Sequence, residues 1–454
     1  MQRDEPAAPS AFTRSAARAL RFVTVVRGPE TITALLLTFE SFLLIFGYYQ
    51  IKAAREGLLL AAHPATVKAY LAIPQVLLIV PVIAAFSRLA SRVPRHLLVT
   101  WVTVFCISNL LVFVALGRAG VPVSIMGIVF FVWIGIFNLT IPAQFWGFAN
   151  DLYDEESGRR LFPLIALGAS LGGVAGPLVA RRVIPHVGCY GMMLVTAGVL
   201  LLTIALTWVA HARNLREHPH SAGWLPDPRT RPLDPGGGFR LVLDSRYLLA
   251  IAAMVLLYNF VNALGEYMFS DLQRSVALRE LGPGAAGSAE LQNYIGAAFA
   301  GYQWLGNVIG LFVQVFLVSR LFRWIGVGGA LLLLPLIALG GYGFASFGAS
   351  LLLLKWVKAV ENGVDYSLMK TARSALFLVT QRAEKYKAQA AVETFFVRGG
   401  DTLCAAVVWA GTAGLALSVE GFAVANVIAV CAWLALSAWI AREHARRSSA
   451  TRGP

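Results

Sequence analysis

Long apolar stretches dominate the chain and are separated by short polar segments. About twelve of these stretches have about 20 residues or more, which is enough for an α-helix to cross the roughly 30 Å of hydrocarbon in a bilayer. They begin near residues 31, 67, 97, 121, 161, 188, 247, 291, 322, 349, 386 and 420. The pattern predicts an all-α, polytopic membrane protein with about twelve transmembrane helices.

The longest polar interruption divides these helices into two groups of six. It covers 211–246 and is rich in proline and glycine, as expected of a linker. We therefore predict five segments: a basic N-terminal segment 1–28, a six-helix bundle 29–212, a linker 213–245, a second six-helix bundle 246–443 and a tail 444–454. Arginine and lysine concentrate in alternate connections, which predicts that both termini are cytoplasmic.

Composition supports a membrane protein and argues against other partners. The chain is 57% hydrophobic and only 14% charged, whereas soluble domains are roughly 25% charged. The net charge of +14 comes from loops between apolar spans, so we expect contacts with lipid headgroups and none with nucleic acid. The four cysteines lie in apolar spans without paired spacing. We therefore expect no disulfide and no metal site. We also expect no cofactor and a monomeric protein.

The tenth predicted span carries charges deep in an apolar run. Five of the seven lysines fall between positions 355 and 387, although the chain otherwise prefers arginine. At about 100° per residue, one helical face carries a polar stripe. Its members are Lys355, Lys358, Glu361, Asn362 and Asp365. Such charges are costly in lipid unless they are paired or hydrated, so the stripe predicts a polar interior.

The first span is also polar. Glu40 lies near its middle, and Tyr48, Tyr49, Lys52, Arg55 and Glu56 follow within a few turns. Arginine and lysine can bind phosphate or carboxylate, and the tyrosine rings can stack on a base. The alternative is an aromatic belt with a cation that reaches the membrane surface.

Further charges lie in the seventh and eleventh spans. Glu266 is in the seventh, and Glu393, Arg398 and Asp401 are in the eleventh. Arg398 and Asp401 are three residues apart and can pair on one helix. We expect the charges of spans 1, 7, 10 and 11 to meet near the membrane midplane, as in transporters built from two repeats. The alternative is structural pairing between the tenth and eleventh helices.

A charged elbow follows the fourth span. Asn150, Asp151, Arg159 and Arg160 are interpreted as a gate or a helix start. Next come Gly168, Gly172 and Gly176, whose spacing of four residues predicts a face for close helix contact. The chain has no phosphate-binding P-loop and no metal or nucleophile motif, so we expect a secondary transporter and not an enzyme.

The two bundles contain similar polar patterns. Tyr48, Lys52 and Glu56 in the first span have counterparts 210 residues later. These are Tyr258, Asn262 and Glu266. The offset favours parallel six-helix repeats, the architecture of the major facilitator superfamily; chance similarity of apolar segments is the alternative.

Three blocks resemble a known family. They read GYYQIKAAREGLLL, FWGFANDLYDEESGRRLFPLIALGASLGGVAGP and ENGVDYSLMKTARSALFLVTQRAEKYKAQAAVETFFVRGGD. They are similar, in order, to blocks of the ATP/ADP translocases of bacteria and plastids and their wider bacterial relatives, a nucleotide-exchange branch of the major facilitator superfamily. They cover about a fifth of the chain. The rest of the chain departs from the translocases, so the resemblance specifies the branch better than the cargo.

The resemblance implies exchange of ATP/ADP-like solutes or other organic anions, with nucleotide binding, in a bacterial inner membrane. In the family, buried lysines and glutamates bind nucleotide phosphates. The resemblance assigns that role to Lys52, Arg55, Lys358 and Glu361, and extends it to Glu266 and Lys387. Two alternatives stay open: a proton-coupled transporter of another solute or a lipid, and a membrane sensor or scaffold that does not transport.

The candidate residues fall into two groups. Those expected to bind the solute are Tyr48, Tyr49, Lys52, Arg55, Glu266, Lys355, Lys358, Glu361, Asp365, Lys387 and Arg398. Those expected to gate or to pair helices are Glu40, Glu56, Asn150, Asp151, Arg159, Arg160, Glu393 and Asp401.

Overall fold

A computed structural model describes residues 30–153, 155–217, 235–380 and 388–452. These residues are helical apart from short connections, and none of them forms a strand. The predicted basic segment 1–28 and the candidate Lys387 lie outside the described residues.

Six helices are described between residues 30 and 217. They are α1 Thr31–Ala62, α2 Ala65–Tyr70, α3 Ala72–Ala90, α4 Arg95–Arg118, α5 Val123–Leu152 and α6 Glu155–Glu217. The last of these contains both the fifth and the sixth predicted spans. Its axis breaks at Gly188, which has φ 75° and ψ 172°, a conformation that glycine adopts without steric cost.

Nine further helices lie in the described residues from 235 onward. They are α7 Pro235–Asp244, α8 Arg246–Leu281, α9 Ala289–Phe312, α10 Val318–Phe347, α11 Leu351–Val364, α12 Lys370–Leu376, α13 Gln389–Ala391, α14 Val397–Trp409 and α15 Val419–Arg452. Among the described residues, π turns connect or end members of this set at Val313–Leu317, Asp365–Met369, Val392–Phe396 and Ala410–Gly414. Short 3-10 turns occupy Pro283–Ala285 and Phe377–Val379.

Each of the predicted spans overlaps at least one of the helices α1 to α15. In the described part of the chain, eight helical segments are long and apolar enough to cross a membrane. Two of them, Glu156–Leu215 and Ala289–Phe347, have 60 and 59 residues, enough for two crossings each. The tenth and eleventh predicted spans correspond to α11 and α14, which carry charged residues, together with the π turns beside these helices. The predicted fold class is confirmed: the chain is a polytopic, all-α membrane protein.

The chain divides into two compact units. The first contains the described residues of 30–55, 81–122 and 133–217, and the second contains 56–80, 123–132 and the described residues from 235 onward. The end of α1 and the segment that follows it therefore pack within the second unit. The predicted bundle boundaries at 212 and 246 stay a prediction.

In the first unit, α6 packs closely on α1 through its glycines. A Cβ atom at Gly168 or Gly172 would overlap the carbonyl oxygen of Thr38 or Phe42, and one at Gly176 would lie 2.5 Å from that of Phe46. The glycine face therefore allows direct contact between the backbones of the two helices, as the spacing of four residues predicts.

Replacement of Gly172 by alanine tests this contact. The added methyl group would force the helices apart, and overpacking of this kind costs about 1–3 kcal/mol in free energy of unfolding. We expect a lower midpoint of thermal unfolding in detergent for Gly172→Ala. Gly198→Ala is the matched control, because a Cβ at Gly198 of the same helix meets nothing within 4 Å. Equal midpoints for the two variants would contradict the proposed close contact.

Candidate functional site

A fully buried ion pair lies at the centre of the second unit. The Nζ of Lys358 is 2.8 Å from the Oε2 of Glu361, and the two side chains are 0% and 1% exposed. Both belong to α11 and are three residues apart, so one helical face presents the pair. Lys358 also donates to the side-chain and backbone oxygens of Asn262 on α8, at 2.6 and 3.1 Å. The ammonium is thereby compensated by three oxygen partners.

Tyrosine hydroxyls extend this pair into a network across four helices. Tyr342 on α10 donates to the Oε2 of Glu361 at 2.8 Å. Tyr302 on α9 donates to the Oε1 of Glu266 at 2.6 Å, and it accepts from the side-chain amide of Asn362. Gly265 on α8 makes room for this arrangement, because a Cβ there would overlap the Tyr342 hydroxyl. The predicted polar interior is thus formed within α8, α9, α10 and α11.

Asp365 continues the polar face of α11. It accepts a hydrogen bond from the Tyr258 hydroxyl, and the guanidinium carbon of Arg373 lies 5.2 Å from the centre of the Tyr258 ring. One oxygen of Asp365, Oδ1, is buried without a hydrogen-bond partner in the described residues, and so is the Oε1 of Glu361. These two oxygens are free to accept a proton or a water molecule.

Lys68 joins this region from α2, and sequence reasoning did not identify it. Its Nζ lies 2.8 Å from the Oε2 of Glu56 and 3.5 Å from the Oε2 of Glu266. It also donates to the Ser270 hydroxyl at 2.9 Å. A signal was present: Lys52 and Lys68 are the two lysines outside 355–387 in a chain that prefers arginine.

A cavity of about 200 Å³ adjoins these residues in the second unit. Its lining side chains include both charges and aromatic groups: Lys68, Gln75, Phe131, Asn262, Glu266, Tyr267, Asp401 and Cys404. Ligand sites usually have volumes of about 300–1,000 Å³. The cavity is therefore small for a nucleotide in this conformation.

In the first unit, Lys52 lies against two aromatic rings of its own helix. Its Nζ is 5.9 Å from the ring centre of Tyr48 and 5.3 Å from that of Tyr49. Arg55, one turn further along, is half-buried. The arrangement presents a cation and two rings on neighbouring turns of α1, as the sequence predicts.

Glu40 lies in the same helix, fully buried. Its Oε1 accepts a 2.6 Å hydrogen bond from the hydroxyl of Thr207 on α6. In the described residues its other oxygen has no hydrogen-bond partner. Glu40 therefore links α1 and α6.

The elbow between α5 and α6 is held by ion pairs of the first unit. Arg95 pairs with Asp151 at 3.3 Å, and Arg160 pairs with Glu30 at 3.1 Å. Asn150 and Arg159 line a separate cavity of about 530 Å³ beside these pairs. The four predicted residues of the elbow, Asn150, Asp151, Arg159 and Arg160, are therefore close to one another in the first unit.

Four of the remaining candidates differ in surroundings. Arg398 and Asp401 form the predicted pair, with a distance of 3.3 Å. Glu393 is exposed and accepts a hydrogen bond from Gln389 at 3.0 Å, away from the buried network. Lys355 is half-buried and makes no hydrogen bond or ion pair with the residues that the structure describes, so it is not joined to Lys358 in the network.

The relatives of this chain are transport proteins. No protein-family model matches the sequence. Over 363 residues it is 24% identical to ADP,ATP carrier protein 2 of Chlamydia trachomatis serovar D, an alignment that covers 69% of this chain and 64% of the carrier. The chain is a distant homologue of this carrier. The alignment spans less than two thirds of the carrier, and it agrees with the resemblance seen in the sequence.

Solved structures share the fold. A POT family transporter in complex with 5-aminolevulinic acid has a TM-score of 0.61 at 13% identity, over 91% of this chain and 96% of that one. A bacterial homologue of the iron transporter ferroportin also has 0.61 at 13% identity, over 91% and 98%. The nucleoside transporter NupG has 0.60 at 13% identity, over 89% and 98%. The fold is that of major facilitator transporters, and none of these relatives is named as an enzyme.

Replacement of Lys358 should destabilise the protein because it removes the cation that pairs with a buried carboxylate. In Lys358→Met, Glu361 would be left buried without its cation, which costs about 3–5 kcal/mol. We expect a strongly lowered midpoint of thermal unfolding in detergent. The double variant Lys358→Met with Glu361→Gln removes both charges and should recover most of that loss. A single variant as stable as the native chain would show that the pair is not structurally coupled.

Proposed function

We propose that this protein is a secondary transporter that works by alternating access and exchanges nucleotides or other phosphorylated or organic anions. The observation that carries the proposal is the polar network of α8 to α11, in which Lys358 and Glu361 are fully buried inside a membrane-spanning unit. Buried charges in such a unit are typical of solute and ion pathways. The transporter fold and the distant homology to an ADP,ATP carrier support the same class of function.

The preference for an anionic solute rests on the first span. Lys52 is a compact cation that lies against the rings of Tyr48 and Tyr49. An ammonium suits a phosphate and a tyrosine ring suits a base, so the three side chains together fit a nucleotide. Arg55 adds a second cation one turn away on the same helix.

The remaining assignments follow from this proposal. The solute-binding candidates of the second unit are Glu266, Lys358, Glu361 and Asp365. The protein is an antiporter of a bacterial inner membrane, a monomer with both termini cytoplasmic, and it uses the counter-movement of solute as its energy source. The ion pairs Arg95–Asp151 and Arg160–Glu30 hold the elbow during the cycle.

Uptake into proteoliposomes tests the proposal directly. Vesicles loaded with ATP should take up labelled ADP, and Lys52→Gln should lower that uptake about 10- to 100-fold, because a hydrogen bond to a charged group is worth about 1.5–3 kcal/mol. Lys370→Gln is the control, since Lys370 is an exposed lysine outside the proposed site. Absence of exchange across a panel of nucleotides and organic anions would refute the proposal and favour a sensor or scaffold.

A second candidate is proton-coupled transport. It is favoured by the buried oxygens of Glu361 and Asp365 that lack hydrogen-bond partners in the described residues. The charged and titratable groups around them are Lys358, Arg373, Tyr258 and Tyr342. Uptake driven by an imposed pH gradient, with no solute on the opposite side, would support this candidate over exchange.

A further inference from the structure

The cavity at the elbow combines aromatic walls with polar groups. Its volume is about 530 Å³, and ligand sites usually have volumes of about 300–1,000 Å³. Trp146 on α5, Tyr153 in the connection and Phe162 on α6 supply the aromatic walls, and Asn150 and Arg159 supply the polar groups. All of these residues belong to the first unit. The cavity is therefore large enough and varied enough in chemistry to bind a small molecule or a headgroup.

Ion pairs beside the cavity hold its walls in place. Asp151 pairs with Arg95 at 3.3 Å, and Arg160 pairs with Glu30 at 3.1 Å. Asp151 and Arg160 each directly neighbour one of the two polar lining residues in the sequence. A site whose walls are already fixed loses less conformational entropy when a ligand binds.

The two neighbouring arginines of the elbow have different surroundings. Arg160 is bound to Glu30, and it does not line the cavity. Arg159 is exposed and lines the cavity. A guanidinium group binds phosphate through its planar set of donors. Arg159 therefore favours a ligand that carries a phosphate group.

The aromatic walls stand at large angles to one another. The ring centres of Trp146 and Phe162 are 5.7 Å apart with an angle of 83° between the ring planes, and those of Tyr153 and Phe162 are 6.3 Å apart with an angle of 67°. Two ring faces at nearly a right angle form a corner. A compact group can touch both faces of such a corner, whereas a flat ring can stack on only one. Because aromatic faces attract cations, the corner favours an ammonium group.

We propose that the cavity at the elbow binds the headgroup of a zwitterionic phospholipid. The phosphate lies at Arg159, and the ammonium group lies against the rings of Trp146 and Phe162. A ligand with only a positive charge would be repelled by Arg159, and a ligand with only a negative charge would leave the ring faces unused.

The place of the cavity in the chain agrees with a lipid. It lies where the apolar segments Val123–Leu152 and Glu156–Leu215 meet. The ends of membrane-spanning segments lie at the level of the lipid headgroups. The lipid site does not depend on the proposed function, because headgroup binding requires no transport.

Lipid binding to the purified protein tests the site. The protein in detergent is titrated with phosphatidylethanolamine or with phosphatidylglycerol, whose headgroup has the phosphate and lacks the ammonium. Native mass spectrometry counts the bound lipids. We expect phosphatidylethanolamine to bind about 2- to 30-fold more tightly, the range that a cation–π contact gives. Equal affinities of the native protein for the two lipids would overturn the proposal.

Phe162→Leu tests the aromatic corner. It removes a ring and retains an apolar side chain, so it should abolish most of the preference for phosphatidylethanolamine. Trp101→Leu is the matched control, because Trp101 is a 52% exposed ring on α4 that does not line the cavity. Its ratio of affinities should equal that of the native protein. A folded Phe162→Leu protein that keeps the native ratio would also overturn the proposal.

Arg159→Gln tests the phosphate contact. It should weaken the binding of both lipids about 10-fold and leave their ratio unchanged. The control is Arg88→Gln, since Arg88 is an exposed cation in the last turn of α3 outside the cavity. Unchanged binding of both lipids to a folded Arg159→Gln protein would refute this contact and with it the zwitterionic ligand.

Competition with soluble compounds separates a lipid from other sources of the same chemistry. We expect neither ADP nor phosphoethanolamine, which lacks acyl chains, to displace phosphatidylethanolamine at a concentration equal to that of the lipid. Displacement by ADP would assign the cavity to a nucleotide and overturn the lipid proposal. Displacement by phosphoethanolamine would show that the ligand is a small soluble molecule and not a component of the membrane.

Discussion

The second unit depends on the electrostatic compensation of the Lys358 ammonium group, which is not exposed to solvent. A lone charge in such a place costs several kcal/mol, so Lys358 requires Glu361 on its own helix and Asn262 on another. Tyr342 then satisfies the oxygen of Glu361 that also faces Lys358. Because these partners come from α8, α10 and α11, the charge fixes the spacing of the three helices.

Lys68 and Lys358, both in the second unit, have different surroundings. Lys358 has no exposed surface and lies inside a network that holds helices together. Lys68 is partly exposed, lines a cavity and binds a carboxylate that has a second donor. A fully buried lysine and a partly exposed lysine at a cavity are therefore found in the same unit, on different helices. Glu266 and Asn262 on α8, one turn apart, contact one lysine each.

Much of the fold could be predicted because lipid permits few solutions. Helices must span the hydrocarbon and glycines must allow close contact, so the apolar runs and the spacing of Gly168, Gly172 and Gly176 were sufficient. Periodicity also identified the polar face of α11, and spacing identified the pair Arg398–Asp401. Periodicity gives the direction of a side chain and not its partner. Tyr302 and Tyr342 therefore looked like ordinary aromatic residues, although their hydroxyls complete the network.

Because periodicity does not identify partners, it also did not show that Lys355 and Glu393 lie outside the buried network. Lys355 belongs to the predicted stripe, but it lies one turn before the place where Asn262 meets the helix, so the network does not reach it. Glu393 lies in a π turn, and its exposure follows the local winding of Val392–Phe396. Regular helical geometry does not describe such a turn, and no residue pattern in the chain predicts it.

The π turn Asp365–Met369 has a further effect on the geometry of its helix. Each π turn contains one residue more than an α-helical turn, and every later side chain points about 100° away from its regular direction. Arg373 follows Asp365 by eight residues, but the extra residue brings it to the place of the seventh, two full turns on. The guanidinium thereby lies over the ring of Tyr258, whose hydroxyl binds that aspartate. A single added residue in the winding of the backbone therefore places a cation against the tyrosine that binds the buried aspartate.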